Sequence, residues 1–384
     1  GATQARSDQN DIQAGKGAKL SINGARSSQN VFLLDGTDIM DAQGRSAAGA
    51  QGLVSGIESV EEFTVLTNTY SAEYGRAAGG VFNIATRSGT NLFHGSLFEF
   101  HRNSALDARS FFDLEKPPFK RNQFGGVLGG PIIKNRLFFF GSYEGLRERL
   151  GLTVVEPVPS LAARRGAFLP AGQTVNPAVV PYLKLIPLPT SDNPTGEKAT
   201  FIAQFKQPSN IDTYNGRVDY NFNERNSAFV RYMQNDSDIL FLNPETFPEF
   251  PNRGQNGQKF FTLGHTRIFN GSVVNSFRYA LNRTEPAEDP APVNEYRDLA
   301  FIPGQVVGTI AVSGFKRFGA DRNTPRRFLQ NTTQISDELS FARGAHLMKA
   351  GANLQITVQA KSDNPAGKGA IKYTWERASN REDL

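Results

Sequence analysis

The chain of 384 residues contains no cysteine. That excludes a disulfide framework and any thiolate metal centre. Histidine is also scarce, with His94, His101, His265 and His346 falling in separate segments. No HExxH or carboxylate–histidine spacing accompanies them, so no pattern for metal catalysis is present. No G-x-S-x-G elbow occurs, and Gly15-Lys16-Gly17 lacks the spacing of a phosphate loop. Glu61 and Glu62 are adjacent, and strand neighbours point to opposite faces, which defeats joint acid–base work. Charge of one sign is nearly balanced by the other: 42 Lys and Arg against 37 Asp and Glu, net +5. The excess is scattered and gives no basic stripe for nucleic acid. No apolar run approaches the ~18–20 residues of a membrane-crossing helix; the densest is Leu137-Phe138-Phe139-Phe140. A membrane chain without such helices must cross with the strands of a closed barrel. No signal peptide stands at Gly1, and a chain that opens without Met is expected to be incomplete.

What is abundant is aromatic and glycine: 30 Phe, 10 Tyr and 37 Gly. From about residue 91 the aromatic residues fall at every second position. Tyr214, Gly216, Val218, Tyr220 and Phe222 share one face, opposite Thr213, Asn215, Arg217, Asp219 and Asn221. Met348, Leu354, Ile356 and Val358 likewise oppose Lys349, Asn353, Gln355 and Thr357. Period 2 over such lengths predicts strands with one polar and one apolar face. About nine are predicted, near 93–102, 121–130, 136–146, 211–222, 227–235, 258–268, 273–283, 331–342 and 346–360. Short turns at 131–135, 223–226, 269–272 and 343–345 alternate with long loops at 103–120, 147–210, 236–257 and 284–330. Asn270-Gly271 is a strong hairpin signal. Short–long alternation is the habit of outer-membrane barrels rather than sandwiches. Tyr214, Val218, Tyr220, Met348, Leu354 and Ile356 are therefore expected to face lipid.

The segment before this is different. Residues 60–91 read as a strand (Val60, Phe63, Val65, Leu66), a glycine-bearing turn, and a second strand (Val81, Phe82, Ile84) ended by Ser88-Gly89-Thr90. Leu20–Ile22 and Val31–Leu34 are short strand candidates, the latter closed by Asp35-Gly36. In order, Ile57-Glu58-Ser59-Val60-Glu61, Tyr74-Gly75, Gly79-Gly80 and Asn83-Ile84-Ala85-Thr86 resemble the end of the plug domain of TonB-dependent outer-membrane receptors. Asp35-Gly36 matches the plug family's "DG" turn. Phe93-His94-Gly95, Arg102-Asn103, Asn122-Gln123-Phe124-Gly125, Gly129-Gly130-Pro131 and Phe138-Phe139-Phe140 resemble the barrel entry of the Oar-like branch. The resemblance covers residues 20–147 by motif and the remainder by texture.

The resemblance implies a mainly β chain: a small α/β plug domain at 20–90, then the N-terminal part of an incomplete outer-membrane barrel at 91–384, after a linker or frayed end at 1–19. Residues 42–56 suit a short helix or loop. Roughly 22 strands close a plugged transporter, so the chain is expected to be a fragment. It implies the bacterial outer membrane, lipid contact, no cofactor, and import or export of a large substrate. A TonB complex would supply energy through a segment not recognisable here. The plug motif residues are Asp35, Gly36, Tyr74, Gly75, Gly79, Gly80 and Asn83. Glu73 and Arg76 are the candidate plug–barrel contact, expected to be hydrogen-bonded and wet rather than apolar. Asp35, Asp38 and Asp41, three apart, lack the spacing of a calcium loop and read as a solvated turn. The alternative is a surface adhesin or glycan-binding β protein without transport.

Overall fold

The computed structural model describes residues 2–5, 19–22, 25, 29–40, 56–67, 74, 79–109, 116–243, 245–294, 296–321 and 323–363. Two strands, β1 (Ala2–Ala5) and β2 (Lys19–Ile22), pair antiparallel as a separate ribbon. The expected linker at 1–19 thus carries a strand. Backbone pairing needs no apolar period, so no periodicity marks it in the sequence.

A small mixed sheet follows, made of β3 (Val31–Leu34), β4 (Thr37–Asp38), β5 (Val60–Leu66) and β6 (Val81–Thr86) in the order β4-β3-β6-β5. β3 and β6 run parallel, in register from Val31–Val81 to Leu34–Ile84. β5 pairs antiparallel with β6, as the two apolar runs suggested. Phe32 and Phe82 stack at 4.4 Å on one face of this sheet.

The remaining nine strands form one antiparallel sheet in strict sequence order. They are β7 (His94–Asn103), β8 (Phe119–Ile133), β9 (Leu137–Pro159), β10 (Lys198–Asn223), β11 (Asn226–Phe241), β12 (Asn252–Asn270), β13 (Val273–Pro290), β14 (Arg326–Arg343) and β15 (His346–Asp363). All nine expected strands are present, and the two sheets are distinct. Several strands run farther into the long loops than expected: β9 reaches Pro159 and β10 begins at Lys198. Beyond the bilayer no lipid demands an apolar face, so the period fades while the backbone ladder continues.

The small sheet packs on one side of this wall. Along β10 the side chains of Thr213 and Asn215 are buried on that side, while Tyr214 and Val218 are 46% and 42% exposed on the other. Met348, Leu354, Ile356 and Val358 are exposed on β15. Tyr220 is half-buried, against Phe222. From Tyr214 to Phe222 the apolar face spans roughly 20 Å at the ~40° tilt of such barrels, most of their ~25 Å apolar band.

The long loops are not merely solvated. Val158, Leu185, Ile186, Phe247, Phe250 and Phe318 form a buried core drawn from three of them and from the strand extensions. Arg164, N-terminal in loop 160–197, donates to the carbonyls of Pro159, Leu183, Ile186 and Pro187. A polar chain of Asn243, Asp321, Asn252, Glu288 and Arg326 ties loops 242–251 and 291–325 to the ends of β12, β13 and β14.

The face assignment has a direct check. A charged substitution at Val218 or Leu354 should cost about 2–4 kcal/mol near mid-membrane, and one on the opposite face much less. Nitroxides at Val218 and Asn215 in the membrane-inserted protein should differ, with Val218 open to lipid-soluble oxygen and Asn215 shielded. Equal oxygen accessibility at the two would refute the assignment.

Candidate functional site

The small sheet meets the wall through the β3–β4 turn. Asp35 and Gly36 both take left-handed backbone angles, φ 49° and 76°. An Asp–Gly pair tolerates this at low cost, and it aims the Asp35 carboxylate at the wall. Within its own sheet that carboxylate accepts from the Thr86 backbone N–H and hydroxyl, both at 2.8 Å. It therefore also joins the ends of the parallel strands β3 and β6.

From the wall, Arg231 reaches it at 2.5 Å and Arg217 at 3.5 Å. The Arg231 side chain is 0% exposed and that of Asp35 is 6%, so this ion pair is dry. Arg231 also donates to the Thr262 hydroxyl at 2.6 Å. Arg217 donates to the Thr86 carbonyl and hydroxyl, and holds Asp219 through two nitrogens. Its guanidinium lies 4.4 Å from the centre of the Phe229 ring. Two arginines and two aspartates make the cluster neutral.

Arg217 and Arg231 are direct partners across β10 and β11. Like charges at such positions repel. Asp35, arriving from the other sheet, is the counter-charge they share. β4 and the residues after it extend the seam. The Asp38 N–H donates to Gln334 Oε1 at 2.9 Å, Asn282 donates to the Asp38 carbonyl at 2.5 Å, and Gln330 to the Met40 carbonyl at 3.1 Å. Beside this polar seam Leu34 and Ile39 pack on Met233 and Phe260 of the wall. This contact is thus part dry and apolar; the Glu73–Arg76 contact, which was expected to be wet, lies outside the described residues. A sheet facing a wall has two side-chain rows to fill, and only one is polar. The expectation of a solvated turn at Asp35 and Asp38 is likewise corrected, because the wall's cations and amides replace water there. No group of metal-binding side chains occurs among the described residues.

The other expected site residues fall elsewhere. Gly36 lies in the docking turn, where a Cβ would sit 3.0 Å from Arg278 Nε. Gly79 and Gly80 are buried, away from the seam. The Gly80 N–H donates to Asn30 Oδ1, and a Cβ on Gly79 would lie 2.3 Å from that oxygen. Neither has positive φ; what Gly79 supplies is close approach. Asn83 lies mid-sheet in β6, paired with Leu33 and Thr64. Tyr74 is half-buried. Glu73, Gly75, Arg76 and Asp41 lie outside the described residues. Thr86, Arg217, Arg231, Thr262, Gln330 and Gln334 were missed as site residues. A signal existed for two: the short turn between β10 and β11 sets the register that brings Arg217 opposite Arg231.

Asp35→Ala removes the counter-charge of a buried arginine and should cost about 3–5 kcal/mol. Gly36→Ala should cost roughly 1–2 kcal/mol from backbone strain alone. Limited proteolysis of the membrane-inserted protein should cleave the small domain faster in both, Asp35→Ala more so, while the wall stays resistant. Unchanged cleavage in Asp35→Ala would remove the cluster's holding role.

Comparisons with known proteins agree with this architecture. A family model described as an outer membrane beta barrel domain matches residues 85–383, and one described as the TonB-dependent receptor plug domain matches residues 4–81. The TonB-dependent transporter Oar of Myxococcus xanthus is 35% identical over 132 residues, covering 32% of this chain and 12% of that protein. The probable TonB-dependent siderophore receptor PirA of Acinetobacter baumannii is 30% identical over 143 residues, 34% of this chain and 18% of its own. Among solved structures, the outer membrane transporter YddB from Escherichia coli superposes with a TM-score of 0.56 at 11% identity, over 88% of this chain and 42% of that one. The A. baumannii PirA structure gives 0.53 at 14% identity, over 95% and 48%. The chain therefore spans less than half of each of these proteins. The plug sheet seated on an antiparallel wall, with both family matches, shows that the chain belongs to the TonB-dependent receptor family of the bacterial outer membrane.

Proposed function

We propose that the whole protein moves a large substrate through a plugged barrel, energised by an inner-membrane TonB complex that pulls on a segment N-terminal to the plug. In this reading residues 20–90 form the plug, 91–384 the first part of the barrel, and 1–19 the lead-in. The observation that carries it is the Asp35 cluster. One carboxylate joins two plug strands to each other and to two arginines of the wall. A force on the plug would load this contact and the amide seam beside it. A cluster of charge-assisted bonds is short-ranged. It holds firmly at rest and is lost within a few ångströms of displacement, which is the behaviour a gate requires. A surface adhesin has no use for such a joint.

The Glu73–Arg76 segment remains a second proposed contact with the wall, and Arg76→Ala tests it on the same readouts. In the complete receptor, Asp35→Asn keeps the size of the side chain and removes its charge. It should raise sensitivity to large antibiotics, with barrel abundance unchanged. Uptake should still require the TonB complex. Sensitivity and uptake both equal to wild type, in correctly inserted receptor, would retire the gating reading.

A further inference from the structure

We propose that Glu288 and Asp321 form a proton-operated latch that holds two long loops closed at the lumenal mouth of the barrel. The latch bears on access to the proposed transport path, yet it is built from the wall and its loops alone.

Glu288 and Arg326 are cross-strand partners on the outer ends of β13 and β14. They lie beyond the apolar band, since past Leu281 the outward positions of β13 become Arg283 and Glu285. On their own strands they share a face with Asn282 and Gln330, which touch the plug. Alternation therefore turns both toward the lumen. Asp321 comes from loop 291–325, Asn243 from loop 242–251, and Asn252 begins β12. The two loops are joined by backbone bonds as well. The Phe247 N–H donates to the Arg317 carbonyl and the Arg317 N–H to the Glu245 carbonyl, both at 2.9 Å. Phe247 and Phe250 of one loop share an apolar core with Val307 and Phe318 of the other.

The cluster holds more acid than base. Arg326 donates through Nε and Nη2 to Glu288 Oε2. Asn252 Nδ2 donates to Glu288 Oε1 at 2.7 Å and to Asp321 Oδ2 at 3.3 Å, so one amide nitrogen lies between two carboxylates. Asn243 donates to the same Asp321 oxygen at 2.7 Å, and the Asn323 N–H to the other at 2.9 Å. No cation pairs with Asp321 among the described residues. Glu288 is 4% exposed and Asp321 8%, so the site is dry. Two carboxylates and one guanidinium leave one negative charge there, which burial strongly disfavours. One proton makes the cluster neutral, and carboxylates that share a site hold a proton readily. Burial raises the pKa of Glu288 and the Asp321 charge raises it further, against the lowering by Arg326 and Asn252.

Opening the loops takes Asp321 away and admits water, which leaves Glu288 with Arg326 and removes what raised its pKa. The closed loops therefore bind the proton more tightly than the open ones. Closure is fully favoured below the ordinary carboxylate range and is lost as pH rises through the raised value of Glu288. Glu249 acts in the same direction. Its Oε2 is buried with no hydrogen-bond partner among the described residues, and burial raises its pKa. Its carbonyl takes the Val293 N–H of the other loop at 2.9 Å, so it too sits where the loops meet. Glu245, the other acid of loop 242–251, is exposed and paired with Arg317, and contributes no such response.

The test uses the complete receptor in lipid discs, with nitroxides at Ser313 of loop 291–325 and Gln255 of β12, both exposed positions. Pulsed electron paramagnetic resonance reads the distance between them from about pH 4.5 to about pH 8, which spans the carboxylate range and well above it. Each pH unit between the open and closed values of Glu288 multiplies the open-to-closed ratio about tenfold, so the longer-distance population of wild type should grow at least about threefold as pH rises. Glu288→Gln imitates the protonated carboxyl and should stay closed at high pH. Asp321→Asn also makes the cluster neutral and should do the same, whereas a purely structural network would loosen when either acid is removed. Any response left in Glu288→Gln should vanish in Glu249→Gln/Glu288→Gln. Glu245→Gln should respond like wild type. Asp35→Asn, directed at the plug, should keep the pH response whatever its transport phenotype. Heat-modifiable migration identifies folded barrel, and if neither neutral variant folds, the wild-type series decides alone. Wild-type loops that stay closed at every pH, or loops that open wider in Glu288→Gln and Asp321→Asn, overturn the latch. So does closure by added calcium with no effect of acid, which would assign the two carboxylates to a metal ion.

Discussion

Two arginines face one another across the inner side of the wall, and neither strand supplies enough negative charge for both. Asp219 takes two nitrogens of Arg217. Arg231 is left fully buried, with a hydroxyl from Thr262. Burying an unpaired guanidinium costs far more than a hydroxyl returns. With the plug docked, Arg231 is therefore balanced only through Asp35, which arrives from another sheet. That requirement couples plug to barrel more specifically than the apolar contact of Leu34 and Ile39 with Met233 and Phe260 could do. Apolar surfaces slide, whereas a carboxylate between two guanidinium groups has one position. The left-handed Asp35-Gly36 turn is the local price of that position, and Thr86 holds the carboxylate from within the plug sheet.

A second constraint acts at the other end of the strands. A strand leaving the bilayer has both faces in water and little reason to stay ordered. Here the loops supply the reason. Phe247, Phe250 and Phe318 cover Val158 and Ala199 on the strand extensions. Arg164 gathers the carbonyls of Pro159, Leu183, Ile186 and Pro187 beneath the loop's apolar side chains. Burial lowers the pKa of this arginine, so its four carbonyl contacts matter as compensation. The proline-rich loop thus has a shape before any ligand reaches it.

Much of this was legible in the sequence. Nine strands, their order and their lipid-facing sides followed from period 2 and turn spacing, because a bilayer imposes a strict apolar demand on alternate residues. The plug sheet followed from four motifs in order. The outer strand ends and the loop core were not legible, because water imposes no period and because the apolar residues of the core come from separate loops. The docking site was half legible. Asp35 and Gly36 stood out as a turn, but reading them as solvated assumed that a turn faces water. Inside a barrel it faces a wall. Arg217 was visible as one polar residue among several, and its importance lay in Arg231, which only the hairpin register brings near.

Strand β10 shows how one sequence meets all these demands at once. Its even positions, Tyr214 and Val218, face outward toward lipid, and farther out Asp212 pairs with Arg147 of β9. Its odd positions turn inward: Arg217 meets the plug, and farther out Phe201 and Ala199 meet the loop core. A shift of one residue in register would exchange the two sets completely. It would place Arg217 in lipid and Tyr214 against the plug. Because every inward and outward contact opposes that shift, the buried ionic joint needs no local device to fix its height in the wall. The membrane outside sets it.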